Sequence, residues 1–67
     1  MKLDKELAER CKQIRQEHNI SINTMSKILG IKPDVIKKYE SGALRVPTDI
    51  LWFYVELANG NANINKN

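Results

Sequence analysis

Two adjacent lysines and a nearby carboxylate form the most promising chemical group in the sequence. Asp34, Lys37 and Lys38 fall on one side of a predicted helix, at about 100° per residue. Ammonium groups bind phosphate oxygens and the acceptor edge of guanine, and a carboxylate accepts from the exocyclic amine of cytosine. The charges taken alone favour a plainer interpretation, a solvated helix surface. The elements that carry these residues must therefore decide between the two.

A thiol and an imidazole on the predicted first helix form a second candidate. Cys11 and His18 lie two turns apart, which is about 10 Å along the axis, whereas a base activates a thiol from about 3 Å. Both residues therefore fit the core or its boundary better than a catalytic site. The sequence also lacks a metal-ligand cluster and a glycine-rich phosphate loop. We predict no enzymatic activity and no cofactor.

The helices that would position the lysines begin at Ser21. Ser21 is a favoured N-cap residue, and Met25, Ile28 and Leu29 follow it at helical spacing. Gly30 then supplies the left-handed conformation that ends a helix without steric cost. These signals predict a short helix that ends in a tight glycine turn.

A second helix is predicted immediately after this turn. Pro33 suits the first helical position because its φ is already helical. Ile31 and Ile36 have the spacing of a hydrophobic staple, which fixes the angle at which the chain enters a helix. Tyr39 continues the inward face, and Gly42 closes the segment. Two short helices joined by such a turn form a helix-turn-helix, whose second helix can lie in the major groove of DNA.

The first helix is predicted over residues 4–18. Its apolar stripe, at spacings of four, three and four residues, consists of Leu7, Cys11, Ile14 and His18. Asn19 can take the left-handed conformation that terminates this helix.

Residues from about Leu7 to Leu57 resemble the Cro and phage-repressor family of helix-turn-helix proteins, also called the xenobiotic-response-element type. The most specific part of the resemblance is the Tyr-Glu-x-Gly ending of the second helix, at residues 39–42. The other residues that carry it, at family spacing and without a gap, are Ile14-Arg15, Ile20-Ser21, Met25, Ile28-Leu29-Gly30-Ile31, Ile36, Lys38 and Pro47. The resemblance implies an all-α fold, a small lambda-repressor-like domain of four to five helices.

The resemblance also implies a structural ion pair. In the family, Arg15 and Glu40 would form a partly buried pair that ties the first helix to the second helix of the motif, the recognition helix. Two positions depart from the family pattern. Ile22 stands where a glutamine commonly contacts the DNA backbone, so the resemblance does not imply that phosphate contact here. Ser26 replaces a usual alanine, which exchanges one small residue for another.

Residues expected to contact DNA lie in the motif and in the loop that follows it. The expected contacts to base edges are Lys32, Asp34, Lys37 and Lys38. The expected contacts to phosphates are Ser21, Asn23, Ser41 and Arg45. Arg45 is included because the corresponding loop of the family runs along the DNA backbone, and an ordinary surface role for it stays open.

The segment over residues 50–58 is apolar on nearly every side. Pro47 and Asp49 favour a helix, whereas the β-branched and aromatic run over residues 50–55 also permits a strand. A helix that packs on a three-helix core needs only one apolar stripe, so we expect a second subunit to cover the remainder. The predicted interface residues are Trp52, Phe53 and Tyr54. In the alternative, two of them are core residues and the third is half exposed.

Composition limits the possibilities further. The 67 residues fit one marginal domain, which we place over residues 1–59, followed by a loose tail over residues 60–67. A net charge of +3 and a pI near 9.2 are compatible with a polyanionic partner without requiring one. The single cysteine, the charged N-terminus and the lack of a long apolar run favour a cytoplasmic protein without a membrane partner.

Two functional classes follow from these observations. The first is sequence-specific binding of double-stranded DNA by a homodimeric transcriptional regulator, a phage-type or plasmid-type repressor with a partly palindromic operator. The alternative is a protein-interaction module, such as an antitoxin or adaptor, that uses the aromatic C-terminal helix.

Overall fold

A computed structural model describes the backbone of residues 2–60 and the side chains of residues 5–60. It contains the helices α1 (Lys2–Glu17), α2 (Ile22–Leu29), α3 (Pro33–Ser41) and α4 (Thr48–Ala58). No strand occurs between residues 2 and 60, so the all-α prediction is confirmed, and residues 50–55 are helical. The predicted tail, apart from Gly60, lies outside the described residues.

The ends of α2 have the local chemistry that the sequence predicts. Ser21 is the N-cap, and its Oγ accepts a hydrogen bond of 3.1 Å from the amide of Thr24. Gly30 is the C-cap, with a left-handed φ of 71°, and its amide donates to the carbonyl of Ser26 at 2.8 Å. The hydroxyl of Ser26 in turn donates to the carbonyl of Ile31 across the turn. These bonds fix the short connection between the two helices of the motif.

Helix α3 begins at Pro33, three residues after Gly30. Lys32 is its N-cap in an extended conformation, and Pro33 occupies the first helical position as predicted. Gly42 ends the helix with a φ of 86°. Helix α4 starts similarly after Pro47, which is its extended N-cap. The sequence signals therefore locate the start of every helix that follows α1.

The core lies where α1 meets α3 and α4, and α2 closes it against α3. Met25 and Ile36 have no exposed surface. The other buried hydrophobic residues of the main cluster are Cys11, Ile14, Ile20, Tyr54 and Leu57. One residue from each half of the helix-turn-helix motif is thus fully enclosed, which fixes α2 and α3 relative to each other.

The buried face of α1 differs from the predicted stripe. Leu7 is 37% exposed and His18 is exposed, whereas Ala8 is only 2% exposed. Arg15 also points inward, because it pairs with a carboxylate of α3. Since α1 packs against both α3 and α4, its buried face is centred on Cys11 and is rotated away from Leu7.

The aromatic residues of α4 divide between core and surface. Tyr54 is 1% exposed, Phe53 is half-buried and Trp52 is 62% exposed. Tyr54 is buried within a single chain and leaves no surface for a partner. The prediction that it lies at a subunit interface is therefore wrong. None of the helices between residues 2 and 60 is long and apolar enough to cross a lipid bilayer.

Candidate nucleic-acid interface

The outer face of α3 carries the residues that were predicted to contact base edges. Lys32, Asp34, Lys37 and Lys38 are all exposed. The opposite face of the helix is anchored by Ile36, which is fully buried. The helix therefore presents a charged face to solvent on a rigid apolar support.

A buried ion pair fixes the C-terminal half of α3. Arg15 Nε lies 2.9 Å from Glu40 Oε2 and 3.1 Å from Glu40 Oε1. Arg15 Nη1 also donates to the carbonyl of Ile20 at 2.7 Å, directly before α2. The two side chains are 9% and 4% exposed, so one arginine connects α1 with α3 and with the segment that leads into α2. This is the pair that the family resemblance implies.

A third element contacts the same carboxylate. The hydroxyl of Tyr54 on α4 donates to Glu40 Oε2 at 2.7 Å. Burial, followed by the hydrogen bond to Glu40, raises the pKa of Tyr54 well above its ordinary value, so the hydroxyl remains a donor. Sequence reasoning did not find this contact, because Tyr54 stands in an apolar run that has no clear helical period. Every buried side-chain nitrogen and oxygen atom in the described part of the chain has a hydrogen-bond partner.

The thiol of Cys11 lies beside this cluster and takes no part in its hydrogen bonds. Burial, with a smaller effect of the charge on Glu40, raises the pKa of Cys11 to about 11. The thiol is therefore neutral at physiological pH and only 1% exposed. This environment makes Cys11 a core residue without nucleophilic character.

Two of the predicted phosphate contacts also have structural roles. The hydroxyl of Ser21 donates to Thr24 Oγ1 at 3.0 Å while it caps α2. The hydroxyl of Ser41 donates to the carbonyl of Lys38 at 3.1 Å and accepts from the amide of Ala43 at 3.3 Å. These bonds stabilise the start of α2 and the end of α3. Both residues are also exposed at the surface.

The other two predicted phosphate contacts lie in different places. Asn23 is exposed in the first turn of α2, and Arg45 is exposed in the loop between α3 and α4. The four residues therefore lie on three parts of the chain, which are the start of α2, the end of α3 and the loop after α3.

A small cleft lies between α1, the start of α2 and α3. Its volume is about 130 Å³, and its lining includes Lys12, Ile22, Lys37 and Ser41 above the Arg15–Glu40 pair. Lys12 was not among the residues singled out from the sequence. Helical spacing could have found it, because Lys12 lies one turn before Arg15 and so on the side of α1 that faces α3.

A second, larger cavity lies beside α4, away from the outer face of α3. This groove has a volume of about 720 Å³, and its apolar lining is provided by Leu7, Leu44, Val46, Pro47 and Leu51. Leu7 and Leu44 are 37% and 43% exposed. Trp52 on α4 is also exposed but does not line this groove.

Comparison with known proteins identifies one family. A family model described as helix-turn-helix matches residues 12–56. The matched region begins at Lys12 within α1 and includes α2, α3 and most of α4. No curated protein and no solved structure matches the chain. The family match agrees with the two-helix motif and its tight turn.

Proposed function

The chain belongs to the helix-turn-helix family, whose domains bind DNA and regulate transcription, and on this premise we propose that it is a sequence-specific homodimeric repressor. The observation that carries this proposal is the exposed charged face of α3, held on a buried support by Arg15 and Glu40. A recognition helix must be rigid to hold its side chains against base edges. The three-way contact at Glu40 supplies that rigidity.

The side chains that would read the bases are those that point furthest from the core. At 100° per residue, Lys38 lies about 160° around the helix from Ile36, and Asp34 lies at a similar angle. Lysine suits O6 and N7 of guanine, and aspartate accepts from the amine of cytosine. Lys32 at the N-cap would contact a base or phosphate beside them.

Dimerisation would proceed through the exposed part of α4. Trp52 is 62% exposed, and Phe53 next to it is half-buried. Such an aromatic surface is typical of subunit contacts. A two-fold axis there would present two recognition helices to successive major grooves, about 34 Å apart, on a partly palindromic operator. A bound dimer would repress by excluding other proteins from the same duplex.

The surface around α4 also favours a second candidate, a protein-interaction module. The exposed Trp52 and the apolar groove bordered by Leu7 and Leu44 could accept another protein in place of a second copy. Such a module would bind its partner tightly and have no sequence-dependent affinity for DNA. DNA-binding assays therefore separate the two candidates.

Substitution of Lys38 tests the base-reading role. Lys38→Ala should weaken binding to a defined half-site by about 1–3 kcal/mol, which is roughly 5-fold to 150-fold in Kd, and should relax preference at one base pair. Lys27→Ala is the matched control, because Lys27 is an exposed lysine of α2 outside the recognition helix. Fluorescence anisotropy with operator and single-base variants measures both effects. Equal affinities of wild type and Lys38→Ala for every duplex would contradict the proposed role.

A further inference from the structure

The cleft between α1, α2 and α3 has the features of a phosphate site. We propose that Lys12 and Lys37 together bind one phosphate of the DNA backbone in this cleft. The inference rests on the proposed function and adds to it a DNA contact from α1. It also changes the expected role of Lys37 from reading bases to holding the backbone.

Two cations from different helices converge on the cleft. Lys12 of α1 and Lys37 of α3 both line it, and both are exposed to solvent. Arg15 and Glu40 also line the cleft, and their charges are paired with each other at 2.9 Å. The cleft is therefore lined by an ion pair with no net charge and by two lysine side chains, which makes it attractive to an anion.

The start of α2 adds to this attraction. Ile22 is the first residue of α2 and lines the cleft, and the first turn of the helix contains no acidic residue. The Ser21 hydroxyl caps only the amide of Thr24. The preceding amides have no acceptor within the helix, and they lie at the positive end of its dipole. The dipole of α2 thus adds to the attraction of the two lysines for an anion in the cleft.

The geometry of α3 separates the roles of its adjacent lysines. Lys37 and Ser41 are four residues apart, lie on one side of the helix and both line the cleft. Lys38 lies about 100° further round and does not line it. Lys37 therefore faces α1 and the start of α2, whereas Lys38 faces away from the core.

Lys12 also compensates for the side chain at residue 22. Ile22 is partly buried and packs against the hydrophobic core, so it offers no polar group to the DNA. Lys12 lines the same cleft from α1. In the proposed contact, Lys12 would supply the polar group that residue 22 lacks.

The salt dependence of DNA binding tests this assignment. Loss of one whole phosphate contact reduces the slope of log K against log salt by about 0.9, which is the upper limit for a variant that removes one of the two lysines. Lys12→Ala should therefore bind more weakly than wild type, and the difference should narrow by up to about 3.5-fold between 50 and 200 mM salt. The loss should be equal for operator and for an unrelated duplex, because a phosphate contact carries no sequence information. Lys37→Ala should behave in the same way, without altered preference at any base pair.

Arg10→Ala is the matched control. Arg10 is an exposed cation of α1 that lies about 160° around the helix from Lys12, and it does not line the cleft. Its removal changes the net charge equally but removes no proposed phosphate contact, so it should leave the slope close to that of wild type. Lys12→Arg should retain the slope, since it preserves the charge. Equal slopes for wild type and Lys12→Ala, or equal reductions in Lys12→Ala and Arg10→Ala, would overturn the assignment.

A neutral phosphate locates the contact. A series of duplexes carries one methylphosphonate, each at a different backbone position. At one position the neutral phosphate should reduce the affinity of wild type but leave the affinity of Lys12→Ala unchanged. If the losses of affinity caused by Lys12→Ala and by the methylphosphonate were additive at every position, the proposal would be overturned. If wild type shows no preference for any operator, the proposed function fails, but the comparison of salt slopes on an unrelated duplex still tests the cleft.

Discussion

Removing one hydroxyl from the core gives the sharpest test of how the recognition helix is held. In Tyr54→Phe the ring remains, so the change creates almost no cavity and deletes only the bond of 2.7 Å to Glu40 Oε2. A hydrogen bond to a charged group contributes about 1.5–3 kcal/mol. The Glu40 side chain is 4% exposed, so water has little access to replace the lost donor. For a domain of this size the melting temperature should fall by about 6–24 °C.

Thermal and urea unfolding followed by circular dichroism at pH 7 measure this effect. Tyr39→Phe is the matched control, because it removes the same atom from a half-buried tyrosine of α3 that does not bond to Glu40. The double variant with Glu40→Gln should show a coupling energy between residues 40 and 54. A Tyr54→Phe protein as stable as Tyr39→Phe, within about 0.5 kcal/mol, would refute the reasoning.

Three further expectations concern the core and α4. Arg15→Ala should destabilise the fold by about 3–5 kcal/mol, since it leaves Glu40 buried without its cation; an unchanged urea midpoint would argue against this. Trp52→Ala should be a monomer in sedimentation velocity and bind an operator weakly, and a dimer of normal affinity would remove Trp52 from the proposed interface. The free energy of unfolding should decrease as pH rises from about 9 to 11, because the Cys11 thiol ionises near 9 when unfolded but near 11 when folded. Cys11→Ala should lose less stability over this range than wild type, and equal losses would contradict the burial effect.

The helix-turn-helix could be predicted because its signals act locally. Ser21 caps α2, Gly30 takes the left-handed conformation and Pro33 begins α3, each through the backbone of its own segment. Asn19 likewise has a positive φ of 56° after α1. Such choices depend little on distant parts of the chain, so residue type and spacing are sufficient to find them.

The side chains that join the helices were harder to predict. Ala8 is buried and Leu7 is partly exposed because α1 packs against two helices at once. A single apolar stripe in the sequence does not predict this second contact. Tyr54 is a core residue because its hydroxyl reaches Glu40, fourteen positions earlier in the chain. Lys12 lines the cleft because α1 packs against α3, which also supplies Lys37 to the lining. Each of these depends on tertiary contacts, which act across the sequence and override local pattern.

Selection from a pool of randomised duplexes at physiological salt is the most direct test of the central claim. The account predicts enrichment of an inverted repeat whose half-sites lie about one helical turn apart, because two copies of α3 would enter successive major grooves. Retention of DNA without any enriched sequence, with binding that only fades as salt rises, would contradict sequence-specific recognition.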